Sequence, residues 1–417
     1  MILLLLILLV LALLGLPLFI ALGAGGLYAS YATELNPSIL IIELYRLANQ
    51  PNLITIPLFT FAGMTMAAGG SPKRLIKLFN AMLGWMPGGL AMAAIVSCAF
   101  FTAFTGASGV TIIALGGLLY PLFMQSNYNE RFTLGLLTSS GSLGLLFPPS
   151  LAILLYGIVS GTNIDDLFLA GIVPGIILLI LLSLYSYKSA LAWHKPSHPF
   201  SLSTLISAAR DTLWDIFLPI LVMFGIFGGF VTVSEAAAVT ASYALFVEMV
   251  IYREIKPVNL PDILIDTSKL VGSILVILGM AMGLTNILID TELPSRLLGL
   301  TENYIHSPLE FLLVLNIFLL IIGAMMDIFS AIVVVVPLIM PLAHRYNIDP
   351  VHLGIIFLAN LEIGYMTPPV GINLFIASQR FGKSILTLFQ SAMPFLGIML
   401  IWLLMISYIP GLTLWWK

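Results

Sequence analysis

Apolar runs long enough to cross a bilayer recur from one end of the chain to the other, and no other feature constrains the fold as tightly. They include Met1 to Tyr28, Leu167 to Tyr187, Asp215 to Val231, Gly272 to Ile289, Phe311 to Met326 and Ile385 to Ile409. At about 20 apolar residues per crossing, the chain makes about ten to twelve crossings or half-crossings. A spanning segment must satisfy its own backbone polar groups, so the expected fold class is an all-α integral membrane protein. Only 8% of the residues are charged, against roughly 25% in a soluble domain. No stretch is polar enough to form a separate soluble domain. The first residues carry neither the basic start nor the small-residue cleavage site of a signal peptide, and are expected to remain as a first spanning helix. Cys98 is alone, which excludes a disulfide framework or a cysteine metal site. The formal net charge of −3, with no basic stripe, gives no support for nucleic-acid binding.

Self-comparison is more informative. A shift of 220 places Pro148-Pro149 on Pro368-Pro369. The same shift places Pro121 on Pro341, Asn127 on Asn347, Gly144 on Gly364, Pro174 on Pro394 and Gly63 on Gly283. One unbroken shift that matches Pro and Gly over such a distance marks a duplication. It divides the chain into a first repeat at 1–190, a linker at 191–212 and a second repeat at 213–417. The linker holds Lys188, His194, Lys195, His198 and Arg210 at or near it, and positive residues favour the cytoplasmic side. Arg253, Lys256, Arg380 and Lys383 suit the same side. Lys73, Arg74 and Lys77 would then fall outside. An odd number of crossings per repeat inverts the two halves, an arrangement common in secondary transporters.

Four places break the rules of a lipid-facing helix. Thr105-Gly106-Ala107-Ser108-Gly109 reads as the tip of a re-entrant hairpin spanning about 88–125. Ser139 to Ser150, with Pro148-Pro149, interrupts the next helix, at about 130–160, because proline removes backbone donors and disfavours helix in its predecessor. The second repeat follows the same plan, with a hairpin at about 307–343 whose tip runs Gly323 to Ser330, and a break from Glu362 to Pro369 in the helix at about 350–380. Unwound backbone at membrane depth is tolerated only where protein or a water-filled cavity covers it. Freed carbonyls beside Ser and Thr hydroxyls supply the oxygen shell of a hard alkali cation, so two symmetric pairs of breaks suggest two cation sites flanking one substrate site. Asp327 and Glu362 sharpen this, because a carboxylate at mid-membrane costs roughly 2.5–3.5 kcal/mol. Their partners under the shift are Ala107 and Ser142, so the two sites differ chemically.

At these residues the sequence resembles a known family, the large membrane subunit of tripartite ATP-independent periplasmic (TRAP) transporters. The resemblance is carried by Trp85-Met86-Pro87-Gly88-Gly89-Leu90, Phe147-Pro148-Pro149-Ser150, Ala170-Gly171-Ile172-Val173-Pro174-Gly175, Glu235-Ala236-Ala237-Ala238, Met326-Asp327, Asn360-Leu361-Glu362-Ile363-Gly364 and Thr367-Pro368-Pro369-Val370-Gly371-Ile372-Asn373-Leu374. Val233-Ser234 stands where the family pattern has Thr-Pro. The resemblance implies an inverted-repeat, elevator-type, Na+-coupled symporter in a bacterial-type inner membrane. Its partners would be a small four-helix membrane subunit and a periplasmic binding protein that delivers an organic acid such as a C4-dicarboxylate or a sialic acid. Ser71 to Leu83 and Asn259 to Leu270 would be arms joining scaffold to moving part. On this reading the first cation site takes Gly106, Ser108, Ser142, Gly144 and Pro148, and the second takes Asp327, Ser330, Gly364, Thr367 and Pro368. Thr105, Ser139, Ser150, Asn360, Glu362 and Asn373 are the candidate substrate contacts. No cofactor beyond the coupling Na+ is expected.

Other readings have weaker support. A stand-alone organic-anion transporter or a proton-coupled symporter would use the same architecture. An ATP-driven permease is disfavoured, because Glu235 to Val250 lacks the glycine of a coupling loop and no nucleotide-binding loop occurs. A membrane enzyme is disfavoured too: Pro196 interrupts His194 and His198, and Ser108 has no nearby base to activate it. Asp165-Asp166 reads as the start of a helix. Trp402, Trp415 and Trp416, with Lys417, are expected in an interfacial belt.

Overall fold

The computed structural model describes residues 16–191, 200–290 and 305–417. Among these residues there is no β-strand, and seven helices are long and apolar enough to cross a membrane, or eight if one bent pair counts as a span. Shorter apolar helices supply the half-crossings. The start of the Met1–Tyr28 run and the His194–His198 segment lie outside the described residues.

The helices sort into two packed groups, each drawn from both halves of the sequence. One contains α1 (Leu18–Ala32), α2 (Ser38–Ala48), α3 (Thr55–Ala68), α11 (Leu213–Phe227), α12 (Val233–Phe246) and α13 (Leu260–Asp290). Here α13 packs on α1, α2 and α3, and α12 packs on α3 and α11. Between the groups lies α4 (Ser71–Leu83), flanked by α10 (Leu202–Asp211). The other group begins with α5 (Gly89–Thr105), α6 (Ser108–Gln125), α7 (Glu130–Ser140), α8 (Leu151–Ser160) and α9 (Ile164–Ala190). It continues with α14 (Pro308–Met325), α15 (Ile328–Arg345), α16 (Pro350–Gly364), α17 (Ile372–Phe381) and α18 (Ile385–Tyr408).

Local chemistry repeats with the shift. Asn127 and Asn347 both take left-handed backbone, with φ of 57° and 55°, a conformation that asparagine tolerates better than most residues. Two residues later, Asn129 and Asp349 cap α7 and α16 by accepting the Phe132 and Val351 amides. Both Pro-Pro bonds are cis.

Contacts at the helix ends fix the sense of each element. Tyr128, just past α6, lies against the Leu90 and Ala91 amides at the start of α5, so α5–α6 is a hairpin. Its base adjoins the end of α9, where Gly88 is pressed onto Ser186 and Ala190. It also adjoins the α17–α18 junction, where Lys383 pairs with Glu130 at 2.7 Å. The α14–α15 hairpin has its base at the opposite face: Phe311 stacks on Tyr346 at 4.7 Å, Lys417 pairs with Asp349 at 2.6 Å, and Trp415 donates to the Leu169 carbonyl at 3.1 Å. The two hairpins therefore enter from opposite faces.

Three expectations are corrected. Lys77 pairs with Asp211 at 2.5 Å and the Thr212 hydroxyl lies 3.2 Å from the Arg74 carbonyl, so the Lys73–Lys77 cluster shares the face of the linker, with Arg210, Arg253, Lys256, Arg380 and Lys383. Asn259 to Leu270 is not a separate arm, because from Leu260 onward it is the first third of the 31-residue α13. Trp402 is fully buried, its indole donating to the Pro174 carbonyl at 2.9 Å. Burying that ring against α9 removes far more apolar surface from water than an interfacial position would.

Candidate functional site

Both helix breaks lie against the hairpin tip of their own half. Helix α5 ends at Gly106, in left-handed backbone (φ 63°), whose amide donates to the Thr102 carbonyl at 2.8 Å. A side chain there would overlap Leu151 at the start of α8. Thr102 ties tip to break, its hydroxyl lying 2.9 Å from the Gly141 carbonyl and 2.7 Å from the Thr111 hydroxyl. A Cβ on Gly144 would overlap the backbone of Ala99 and Ala103. Around this junction the hydroxyls of Thr105, Ser140 and Ser142 are buried and have no hydrogen-bond partner. Buried polar atoms are ordinarily satisfied, so these three unpartnered oxygens mark the junction as a place for a ligand to complete.

In the second half, a Cβ on Gly364 would overlap Gly323 and Ala324. The Val370 and Gly371 amides both donate to the Ala324 carbonyl at 3.1 Å. Asp327 caps α15, accepting the Phe329 and Ser330 amides at 3.0 Å each as well as the Ser330 hydroxyl. Tyr365 accepts the Ile328 amide at 2.5 Å. The start of α15 is thus covered by acceptors, while α6 has no side-chain cap at all.

Between the tips lies a cavity of about 460 Å³, lined by Gly106 to Val110, Leu145, Asp327 to Phe329, Tyr365, Ile372 and Ile376, and closed on the other side by Met64 and α13. Ser108 lines it while remaining 5% exposed. Among the described residues, no Lys or Arg lines it. A second cavity of about 500 Å³ shares Met64, Val110 and Ile113 with the first, and continues past Ala67 and Ala68 to Glu254, Asn259 and Asp262 at the basic face.

The structure brings Gly106, Ser108 and Asp327 to this cavity; Ser142, Gly144, Pro148, Ser330, Gly364, Thr367 and Pro368 sit behind them in tips and breaks. Thr105, Ser139, Ser150, Asn360, Glu362 and Asn373 do not line it. Ser139 bonds back to its own helix at Gly135, and Ser150 caps α8. Asn360 donates to Asn316 at 2.7 Å, and Asn373 reaches across to the Thr138 carbonyl at 3.4 Å. Glu362 is fully buried with neither oxygen partnered. Sequence reasoning did not single out Tyr365, Thr102 or Thr111. The shift offered a signal for the first, since it pairs Tyr365 with Leu145 and so marks a phenol where its counterpart is aliphatic.

A family model described as "Tripartite ATP-independent periplasmic transporter, DctM component" matches residues 5–412. The chain belongs to this family. It is a multi-pass permease of the inner membrane and not an enzyme. This permease is 36% identical over 90% of its length, and 88% of the relative's, to the C4-dicarboxylate TRAP transporter large permease protein DctM of Pseudomonas aeruginosa. It is 34% identical to the isethionate TRAP transporter permease protein DctMQ of Oleidesulfovibrio alaskensis, covering 96% of this chain and 64% of that one. It is 30% identical to the ectoine/5-hydroxyectoine permease UehC of Ruegeria pomeroyi, covering 94% and 92%. In fold it is similar to the YdaH transporter of Alcanivorax borkumensis, with a TM-score of 0.63 at 13% identity, over 89% of this chain and 87% of that one.

Proposed function

We propose that this permease is a Na+-coupled symporter that carries a small organic acid into the cytoplasm. The carrying observation is the cavity bounded by both hairpin tips, adjoined by a second cavity that reaches the basic face, and set beside buried hydroxyls that lack partners. Positive residues favour the cytoplasmic side, so the cavity opens inward. One Na+ sits at Gly106, Ser108, Ser142, Gly144 and Pro148, and the other at Asp327, Ser330, Gly364, Thr367 and Pro368. Hydroxyls that donate their proton to a carbonyl, as Thr367 does to Ile363 at 3.1 Å, keep lone pairs for the ion. The uncapped start of α6 favours the acid's negative end, since free helix N–H groups and the helix dipole attract anions. Without a basic side chain in the cavity, Na+ binds first and offsets the charge, and the acid follows.

The partners are a small membrane subunit and a periplasmic binding protein. A fused relative, DctMQ, supports the first, and the relatives' substrates (C4-dicarboxylate, isethionate, ectoine) support a small polar cargo. The group of α5–α9 with α14–α18 moves as one body against the group of α1–α3 with α11–α13. One observation favours proton coupling as a second reading: the buried, unpartnered Glu362. Uptake by the reconstituted complex, with sodium and proton gradients imposed separately, decides between them. Accumulation under an inward Na+ gradient alone is expected; accumulation under a proton gradient alone would overturn the assignment.

A further inference from the structure

Outside the transport site, the densest set of buried charges surrounds Arg74 on α4. Its Nε and Nη2 donate to the two oxygens of Asp215 at 2.6 and 3.1 Å. Nη2 also donates to Glu248 Oε1 at 2.5 Å, and Nη1 to Glu254. The guanidinium lies 3.6 Å over the ring of Tyr252. One cation therefore faces three carboxylates, and the side chains of Asp215 and Glu248 are each 1% exposed. Among the described residues, the elements packed around them add no further cation to the cluster. Lys77 is taken by Asp211, the Arg253 guanidinium turns to the Val250 carbonyl, and Tyr243 and Tyr252 donate to the Trp214 and Asp211 carbonyls. Nor is any group of acidic side chains among those residues arranged to hold a metal ion.

The second oxygen of Glu248 is buried and receives no hydrogen bond from any donor, and the Glu248 and Glu254 carboxyls are both held by the single Arg74 guanidinium. Two carboxylates gathered on one cation repel unless a proton lies between them. Glu254 accepts from the Gly70 amide at 2.6 Å as well as from Arg74. Burial raises its affinity for a proton, but the ion pair with Arg74 outweighs burial and holds its carboxyl below the ordinary range. Glu254 is accordingly the ionised partner.

We propose that Arg74, Asp215, Glu248 and Glu254 form a proton-binding latch in which Glu248 keeps its proton and donates it to Glu254, pinning α4 to α11 and to the helical turn Val247–Ile251 that continues α12. Gly69 and Gly70 at the end of α3 fit this arrangement, because a Cβ on either would overlap the carboxyl of Glu248 or Glu254. The latch closes one end of the connection between the two helix groups, and Glu254 also lines the inner cavity, so the proton site is in reach of cytoplasmic water.

A proton bound by the folded protein and released at alkaline pH contributes stability that is present at low pH and lost as pH rises. The test is scanning fluorimetry of the purified permease from pH 6 to 9, on wild type, Glu248→Gln and Glu248→Ala. Wild type is expected to lose several degrees of apparent Tm toward pH 9. Glu248→Gln, whose amide still donates to Glu254, should match wild type at pH 6 and lose the alkaline decline, and Glu248→Ala should be lower throughout. A flat wild-type profile would overturn the proposal, as would Glu248→Gln falling as far as Glu248→Ala at pH 6. Should Glu248→Gln fail to fold, the infrared band of a protonated carboxyl, titrated in Glu362→Gln to remove the other buried, unpartnered carboxyl, decides the matter: its presence at pH 6 and loss toward pH 9 support the latch, and its absence at pH 6 refutes it.

Discussion

Single side chains carry the proposed ion sites. Replacing Ser108 and Thr367 together by alanine should raise the Na+ concentration for half-maximal uptake several-fold, measured in proteoliposomes; an unchanged value would remove both from the ion sites. Gly364→Ala forces a methyl into the Gly323–Ala324 backbone. Overpacking of this kind costs roughly 1–3 kcal/mol, so a lower apparent Tm and loss of uptake are expected. A fluorophore that reacts with the lone, buried Cys98 as it becomes exposed on unfolding can report that Tm. At this scale the sequence was a partial guide. The placement of Gly106, Ser108 and Asp327 at the hairpin tips was legible because glycine, hydroxyl and carboxylate are conspicuous inside apolar runs. Trp402 was not, since a tryptophan near a helix end looks the same whether it faces lipid or a groove. Arg74 was not legible either, because its partners Asp215, Glu248 and Glu254 lie more than a hundred residues away along the chain.

At the scale of elements, the two halves share a plan among the described residues and differ visibly at the joint after α2. Helix α2 and the helix Asn52–Ala68 meet at a bend of 75°, whereas α13, which corresponds to both, runs unbroken over 31 residues. The shift pairs Pro51 with Val271, and proline removes the amide that would carry a helix through. Val271 is buried within α13, so Val271→Pro should destabilise the permease by about 3 kcal/mol or more. A Tm within a degree of wild type would show that the continuity of α13 is not needed. The hairpins and breaks could be read beforehand from Gly, Ser and Pro-Pro. The continuity of α13 could not, because its amphipathic first third resembles a separate surface helix.

For the molecule as a whole, opposed hairpin tips around a cavity are the arrangement that the proposed alternating access requires. The duplication made this legible, since inverted halves were expected from an odd number of crossings. The basic faces became consistent only when contacts placed Lys73 to Lys77 beside the linker. Val110 lines both cavities and is the natural reporter. In a Cys98→Ala background, a Val110→Cys variant can be exposed to a membrane-impermeant maleimide from each side of oriented vesicles. Labelling is expected from the cytoplasmic side alone without Na+, and from the periplasmic side only when Na+, acid and the binding protein are supplied there. Equal labelling from both sides at once, whatever the Na+, would mean an open pore and would contradict alternating access.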